Sequence, residues 1–496
     1  MPSREVTLAA PPAFHLPPLD DAGNAWVAGE EMKQHLESLY VDTLDLRLAR
    51  WGCSLRHRSD EGWTLRLPSP ERDEAAPGDR GPLRFEGSAG HPPEAATALV
   101  QAYARRAPLQ PMARLSTRRR RVVVSDEAGE PLLTVVDDEV SVLQGRRVAA
   151  RFQELGVTLP DGAPVDSPVL RSIVARLGAA GAVVTGAIPG HVRALGPLAS
   201  VPEVKVPPLS PEPSAAEVVR AAIATSVVTL LRRDPGVRLG GDPEDVHQAR
   251  VALRHLRSNL RTFAALLEPE WARAVREEAG WLAGELGGVR DREVLLARLE
   301  GKAAGLETAD RRAAGGLTRQ LAAELGEARA ELDAAISSDR YLDAVELLIG
   351  AARQPRFTEA AADPAADVLP LLVRKPWRAL RRGVQSLPDE PPDAALHRLR
   401  ILAKRTRYAA EAAAPVVGPP AMLFARRVAG LQSVLGEHQD SVVARVWIRE
   451  TAGTGRQAFV AGVLYGLEQA DGDRARSEWP GAWDRLSGRK LRSWMG

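Results

Sequence analysis

The sequence predicts an α+β protein of two domains, with a strand-rich N-terminal half followed by an all-helical C-terminal half. Three observations support this fold class. Residues 1–200 contain short runs in which apolar and polar side chains alternate, as in antiparallel strands. Residues 215–496 are long segments rich in Ala, Leu, Arg and Glu. Between them, residues 201–214 are rich in proline and predict an extended linker.

Composition excludes several classes of protein. The chain has 496 residues, of which 45% are hydrophobic, so each half can form its own core. Cys53 is its one cysteine, which excludes an internal disulfide and a metal site of several cysteines. No apolar run is long enough to span a membrane, and the N-terminus lacks the apolar core of a signal peptide. We therefore expect a cytoplasmic protein without a membrane partner.

The predicted strands of the N-terminal half carry arginines at a spacing of two. Arg56 and Arg58 share one face of a strand, and Arg118 and Arg120 share one face of a later strand. A closed antiparallel sheet would aim such arginines into its interior. An ordinary strand would leave them in solvent, and the spacing alone favours that simpler interpretation.

The C-terminal half contains a basic helical stripe that occurs twice. Its members stand at offsets 0, 3, 7 and 10, which places them within roughly an 80° arc of an α-helix. The stripe is His247, Arg250, Arg254 and Arg257, continued by Arg261, and its copy is His397, Arg400, Lys404 and Arg407. A surface helix usually mixes charges of both signs, so an acid-free arc that recurs argues against an ordinary solvated face.

A Leu-Gly-x-x-x-Asp element follows each stripe and ends at Asp291 in the first copy and at Asp440 in the second. This order predicts a duplicated helical unit, with one repeat at about 215–350 and the other at about 365–496. Two such repeats usually pack about a pseudo-twofold axis, which would bring both stripes to one surface. We interpret both aspartates as partners of stripe arginines or as helix caps.

Arginine-rich stripes suit a flexible polyanion, because each guanidinium donates two hydrogen bonds to one phosphate and stays charged. His247 and His397 either orient the first helical turn or become protonated beside the ligand. A zinc site is disfavoured because neither histidine has a second histidine four residues later. Nucleic-acid binding is disfavoured because aromatic residues form only 4% of the chain, leaving no stacking platform. Phosphate-backbone contacts would still permit weak, non-specific binding.

The N-terminal half resembles the CYTH family, the triphosphate tunnel metalloenzymes. Four segments carry the resemblance, at 40–48, 54–58, 61–68 and 129–142. The resemblance implies an antiparallel tunnel of eight strands in which basic residues hold a triphosphate and carboxylates hold a divalent metal. By that resemblance, the basic positions are Arg56, Arg58, Arg66, Arg114 and Arg118.

The metal-binding side of the CYTH pattern is incomplete. The family's Glu-x-Glu-x-Lys motif keeps only Glu5 here, and its late Glu-rich strand keeps only Glu154. Mg²⁺ and Mn²⁺ need several oxygen ligands, and hydrolysis needs the metal to polarise the phosphoryl oxygen. We therefore expect a phosphate pocket with weak or no hydrolysis, although Glu5, Glu139 and Glu154 are candidate ligands for a weaker site. The alternative is a metal-dependent inorganic triphosphatase or polyphosphatase that acts in this tunnel.

The C-terminal half resembles the CHAD family, a helical domain of two four-helix repeats, each with a basic helix that begins at a histidine. The stripes, the Gly-x-x-x-Asp elements and the closing segment 479–494 carry the resemblance over residues 215–496. It implies binding of inorganic polyphosphate to the basic surface between the repeats, without a cofactor, and association with polyphosphate granules. Mg²⁺ or Mn²⁺ would be needed only if the CYTH-like tunnel were active.

Overall fold

The computed structural model confirms the predicted α+β fold, with an antiparallel sheet followed by a helical region. It divides into two compact units, Met1–Glu203 and Val204–Gly496, which we call the strand unit and the helical unit. The residues that the structure describes are 5–11, 14–20, 26–68, 81–164, 166–184 and 190–495.

The strand unit is built on one ten-stranded antiparallel sheet in the order β10-β1-β9-β8-β7-β3-β4-β5-β6, with β2 also paired to β7. The described residues form ten strands rather than eight, and their antiparallel order is consistent with the tunnel fold that the resemblance implied. The strands are β1 (Glu5–Ala10), β2 (Val27–Ala28), β3 (Met32–Asp42), β4 (Ser54–Arg58), β5 (Gly62–Arg66), β6 (Leu83–Phe85), β7 (Gln110–Ser125), β8 (Pro131–Gln144), β9 (Arg147–Thr158) and β10 (Val183–Val184).

The helices of the strand unit are short: α1 (Arg47–Arg50), α2 (Glu94–Leu99), α3 (Gln101–Ala104), α4 (Pro168–Ala179) and α5 (Gly190–Leu195). Helix α4 packs Ile173 and Leu177 against Leu133 and Val135 of β8, which forms a core on one face of the sheet. The opposite face, from β9 round to β6, lines a single cavity. Alternation along each strand thus separates an apolar face from a cavity face.

The long β7–β8 hairpin brings the central basic and acidic residues into register. Its turn forms because Asp126 Oδ1 accepts hydrogen bonds from the backbone of Ala128 and Glu130, at 2.9 Å each. Gly129 adopts a φ of 85°, which favours glycine. The resulting register places Arg119 opposite Asp138.

The helical unit contains nine α-helices in its described residues, and a 3₁₀ segment, Arg489–Met495, follows the last. The helices are α6 (Ala215–Leu239), α7 (Pro243–Thr262), α8 (Pro269–Ala304), α9 (Thr308–Ile336), α10 (Asp339–Arg353), α11 (Ala365–Gln385), α12 (Asp393–Val417), α13 (Pro419–Thr451) and α14 (Gly455–Ser487).

Helices α6–α9 and α11–α14 form two halves that are built alike, with each helix packed on the next. The halves share a core of α8, α9, α13 and α14 that contains Leu299, Leu317, Ile448 and Leu464. Glu468, whose side chain is fully buried, accepts a hydrogen bond from Arg298 Nε at 2.9 Å across this interface. The repeat seen in the sequence therefore corresponds to two four-helix halves that share one core.

The segment predicted as a linker, 201–214, makes specific contacts near both of its ends. Glu203 is buried in the strand unit, where it pairs with Arg105 at 2.6 Å and accepts a hydrogen bond from Trp51 at 2.8 Å. At the other end, Ser214 caps α6, and Ser214 and Glu217 form a capping box. In the part of the chain that the structure describes, no helix is long and apolar enough to cross a membrane.

Candidate functional site

The two basic stripes lie on α7 and α12, and their position follows from the apolar faces of these helices. Asp242 caps α7 by accepting a hydrogen bond from Glu244 N at 2.9 Å, and Pro243 occupies the first turn. Leu253 and Leu256 of α7, and Leu399 of α12, are almost fully buried. The cationic arc of each helix is therefore turned away from the core.

Helices α7 and α12 pack against each other, so the two stripes meet. The rings of His255 on α7 and Tyr408 on α12 have centroids 4.6 Å apart, and the guanidinium of Arg254 lies 6.0 Å from the same tyrosine ring. Arg254 and Lys404 line a common cleft of about 140 Å³. We use the term basic surface for Arg250, Arg254, Arg257 and Arg261 of α7 together with Arg400 and Lys404 of α12.

Four of the six cations, Arg250, Arg254, Arg400 and Lys404, lie close enough for their charges to act on one another. Burial, and then the charges of Arg400, Arg254 and Arg250, lower the pKa of Lys404 to about 8. Burial also lowers the pKa of Arg400, and the nearby Arg254 and Arg250 act in the same direction. The basic surface thus holds like charges close together, an arrangement that an anion would relieve.

Each Gly-x-x-x-Asp element accommodates one arginine of the basic surface. In α8, a Cβ on Gly287 would lie 3.6 Å from Nε of Arg250, whose Nη1 donates to Asp291 at 2.7 Å. In α13, Gly436 and Asp440 have the same relation to Arg400, at 3.6 and 4.0 Å. The glycine lets the arginine lie flat across the neighbouring helix, and the aspartate one turn later fixes its end.

The remaining cations of the basic surface are not neutralised by acids. Among the described residues, none of Arg254, Arg257, Arg261 and Lys404 forms an ion pair with a carboxylate. Arg407 differs, because its Nε donates to Glu411 of the same helix at 2.7 Å and its guanidinium lies 5.5 Å from the Tyr408 ring. The structure therefore brings six of the predicted stripe residues together and holds Arg407 in an ion pair.

The two stripe histidines have different surroundings. His397 Nδ1 donates to Gln439 Oε1 at 2.7 Å, which orients the ring. Burial, and then the charge of Arg290, lower the pKa of His247. His247 is therefore neutral near pH 7 in the unliganded protein.

Sequence reasoning missed two arginines that lie close to Arg261. Burial, and then the charges of Arg405 and Arg276, lower the pKa of Arg261. Arg405 also lines the cleft beside Lys404. Arg405 directly follows Lys404 and is therefore not at one of the repeated offsets. The equivalent residue of the first repeat is His255, so comparing the two repeats does not identify Arg405 as part of a shared pattern.

The strand unit has its own basic site, a cavity of about 410 Å³ on one face of the sheet. Arg56, Arg58 and Arg66 line it, as the sequence predicted. Two further predictions are corrected. The inward residue of β7 is Arg119, whereas Arg118 lies on the opposite face with 77% of its side chain exposed. Arg114 shares the alternation of Arg118 and is absent from the lining, because the odd-numbered residues of β7 face the cavity.

Carboxylates neutralise much of this cavity. Arg56 pairs with Glu61 at 3.0 Å, and Arg119 pairs with Asp138 at 2.6 Å. Glu154 accepts a hydrogen bond from Arg193 of α5 at 3.3 Å.

Helix α5 also contributes to the cavity wall. The His191 ring stacks on Tyr40 with centroids 5.0 Å apart, and burial followed by the charges of Arg56 and Arg66 lowers the pKa of His191 to about 4. His191 is thus a neutral wall residue near pH 7 and adds no charge to the cavity.

The three candidate metal ligands do not form one site. Ala9, not Glu5, pairs with Glu154, so Glu5 lies four residues further along β1, or roughly 13 Å away. Glu139 points to the opposite face of the sheet, where it lies 3.8 Å from Arg118. Within the described ranges, no cluster of three His, Cys, Asp or Glu residues could hold a metal ion. The residues present therefore do not fit the divalent metal that the CYTH resemblance implied.

Comparison with known proteins places the basic surface within a recognised domain. The CHAD domain model matches residues 221–449, which include both stripes and both Gly-x-x-x-Asp elements. Two solved structures are similar to this chain. PptA from Streptomyces chartreusis is 24% identical with a TM-score of 0.47, covering 55% of this chain and 99% of its own. The CHAD domain from the plant Ricinus communis is 25% identical with a TM-score of 0.47, covering 57% and 95%.

Two curated relatives match nearly the whole chain. Uncharacterized protein MT2285 from Mycobacterium tuberculosis (strain CDC 1551 / Oshkosh) is 31% identical over 497 residues, covering 91% of this chain and 90% of the relative. Uncharacterized protein Rv2226 from Mycobacterium tuberculosis (strain ATCC 25618 / H37Rv) gives the same values. The chain therefore belongs to the family of these two mycobacterial proteins, and its helical unit contains a CHAD domain.

Proposed function

We propose that the helical unit binds inorganic polyphosphate along the basic surface. The observation that carries the proposal is that Arg254, Arg257, Arg261 and Lys404 converge from two helices and form no ion pair with a carboxylate among the described residues. The association of the CHAD family with polyphosphate supports it. A cytoplasmic protein with this affinity would bind to polyphosphate granules.

The chemistry of the surface suits a linear chain of phosphates. Each guanidinium offers a planar pair of donors to one phosphate, and Lys404 adds a compact charge at the centre. Arginines on two neighbouring helices contact successive phosphates, so affinity is shared among many contacts. Such binding weakens steeply as salt rises, because bound counterions are released.

The direct test removes the centre of the basic surface. Replacing Arg250, Arg254, Arg400 and Lys404 together with alanine should abolish measurable binding of long-chain polyphosphate by calorimetry, since each charge-assisted contact contributes roughly 1–3 kcal/mol. Arg312→Ala, an exposed arginine on α9, is the matched control and should leave affinity unchanged. Unchanged polyphosphate affinity in the fourfold variant would refute the proposal.

A competition assay separates polyphosphate from nucleic acid. Unlabelled polyphosphate should displace labelled polyphosphate from the full chain at far lower phosphate concentration than double-stranded DNA does. Tyr408 lines the cleft but is only 4% exposed, so DNA would contact this surface mainly through its backbone phosphates. Equal competition by DNA would favour a general polyanion-binding protein.

We infer that the cavity of the strand unit binds short phosphates with little metal-dependent hydrolysis. The inference rests on Arg56, Arg58 and Arg66 in the lining and on the separation of Glu5 from Glu154. Phosphate release from tripolyphosphate with Mg²⁺ or Mn²⁺ should stay near background. Robust turnover would instead support the triphosphatase alternative.

A further inference from the structure

A second cavity of the helical unit, of about 420 Å³, lies where α7 ends beside α11 and α12. Its wall is largely aliphatic and includes Leu371, Leu372 and Leu402. Leu371 is 56% exposed, although it is a large apolar residue on a helix with a buried core face. A concave, mostly apolar wall with a few polar groups is the usual form of a binding site for a ligand with an apolar part.

Three cations surround this aliphatic wall: Arg261, Lys375 and Arg405. The lining contains no carboxylate, and these three side chains form no ion pair among the residues that the structure describes. The cavity of the strand unit is different, because Glu61 and Asp138 neutralise its arginines. An aliphatic wall edged by unpaired cations matches a ligand with an apolar group and an anionic end.

The cavity is continuous with the basic surface. Ser258, Arg261 and Arg405 line both this cavity and the cleft beside Lys404. A ligand seated on the leucines would therefore place its anionic end at the edge of the basic surface.

We propose that this cavity binds the aliphatic chain of a phosphate or diphosphate ester, with the phosphate held by Arg261, Lys375 and Arg405. Among the described residues that line the wall, none is an aromatic residue on which a nucleobase could stack, and Ser258 and Thr262 alone supply neutral side-chain hydrogen-bonding groups. An aliphatic chain needs neither. The site goes beyond inorganic polyphosphate, which has no apolar group to bury here.

The test compares geranyl diphosphate with inorganic pyrophosphate on the full-length protein by calorimetry. Both carry a diphosphate, and only the former has an aliphatic chain to remove from water. Geranyl diphosphate should bind at least tenfold more tightly, and geraniol, which lacks the charges, should not bind measurably.

Two variants locate the binding to this cavity. Leu371→Asn should weaken geranyl diphosphate binding at least tenfold while changing long-chain polyphosphate affinity less than twofold, because it makes the aliphatic wall polar without adding a charge beside Arg261. Leu467→Asn, on α14 and 41% exposed, is the matched control and should change neither affinity. Lys375→Ala should also weaken geranyl diphosphate binding, and it keeps the proposal testable if Leu371→Asn disturbs folding.

Equal affinity for geranyl diphosphate and pyrophosphate would overturn this proposal. So would tight binding of geranyl diphosphate that Leu371→Asn and Lys375→Ala both leave unchanged. Binding only to vesicles that contain phosphatidic acid, with none to geranyl diphosphate in solution, would overturn it too, because a membrane surface would then be the ligand. None of these outcomes bears on inorganic polyphosphate, whose test is the fourfold variant.

Discussion

The strand unit and the helical unit both gather arginines, but the two sites differ in how those arginines are neutralised. In the strand unit, Arg56 pairs with Glu61 and Arg119 with Asp138 inside one cavity. In the helical unit, Arg254 and Lys404 face each other across a cleft with no carboxylate partner among the described residues. The number of arginines alone would not distinguish the two sites. They differ in how many of those arginines form ion pairs with carboxylates.

The physical reason is the free energy of the unbound state. An arginine already paired with a carboxylate exchanges one anion for another when phosphate arrives, so its net gain is small. An arginine surrounded by like charges is destabilised before binding, and the ligand relieves that repulsion. We therefore expect the helical unit to hold long polyanions tightly and the strand unit to hold short phosphates weakly.

The largest expected effect comes from giving the basic surface an acid of its own. Ile401 lines the cleft between Arg254 and Lys404 and is 36% exposed, so it tolerates a polar side chain. Ile401→Glu should weaken polyphosphate binding roughly tenfold to a hundredfold, or about 1.4–2.8 kcal/mol, by partly neutralising the arginines. The control is Ile401→Gln, because glutamine has the shape of glutamate without its charge. If both variants bind polyphosphate with equal affinity, ion pairing with carboxylates does not explain the difference between the two sites.

The next effect is a pH dependence confined to the helical unit. Free Lys404 loses its proton as pH rises through about 8, and bound polyphosphate favours the protonated amine. Binding above pH 8 therefore requires proton uptake, and affinity should fall by up to about tenfold per pH unit. Lys404→Arg should bind with little pH dependence between pH 7 and 9.5, because an arginine stays protonated throughout. An identical pH profile in Lys404→Arg would show that Lys404 does not contact the ligand.

A smaller effect is expected from removing a carboxylate in the strand unit. Glu61 pairs with both Arg56 and Arg58, so in Glu61→Gln the affinity of the full chain for tripolyphosphate should rise about threefold to fivefold, or roughly 0.7–1 kcal/mol. Measuring it in the fourfold alanine variant of the helical unit isolates the cavity. Glu127→Gln, in the exposed β7–β8 turn, should change nothing. Lower affinity in Glu61→Gln would mean that Glu61 orients Arg56 for the ligand.

The smallest expected effect concerns the remaining glutamate of the N-terminal motif. Glu5→Ala should leave the low phosphate release from tripolyphosphate with Mn²⁺ unchanged, because Glu5 lies roughly 13 Å along the sheet from Glu154. Glu130→Ala, in an exposed turn, is the control. Strong Mn²⁺-dependent turnover that Glu5→Ala removes would move the strand unit to the class of active enzymes.

Local patterns in the sequence predicted much of the helical unit. The period of an α-helix was enough to place Arg250, Arg254 and Arg257 on one arc, because that geometry depends only on neighbours along the chain. The Gly-x-x-x-Asp spacing likewise identified Asp291 and Asp440, which lie beside Arg250 and Arg400. Resemblance then supplied the fold and the expected ligand.

What the sequence by itself determined is thus the helical character of the second half, the duplicated stripes and the strand-rich character of the first half. Only the tertiary structure decided which face of β7 turns inward, because alternation defines two faces without saying which is covered; Arg119 lines the cavity and Arg118 does not. It also placed Arg405 beside Arg261 and paired Arg56 with Glu61. These contacts depend on packing between helices and on the curvature of the sheet. Both bring together residues whose spacing in the sequence does not predict that they meet.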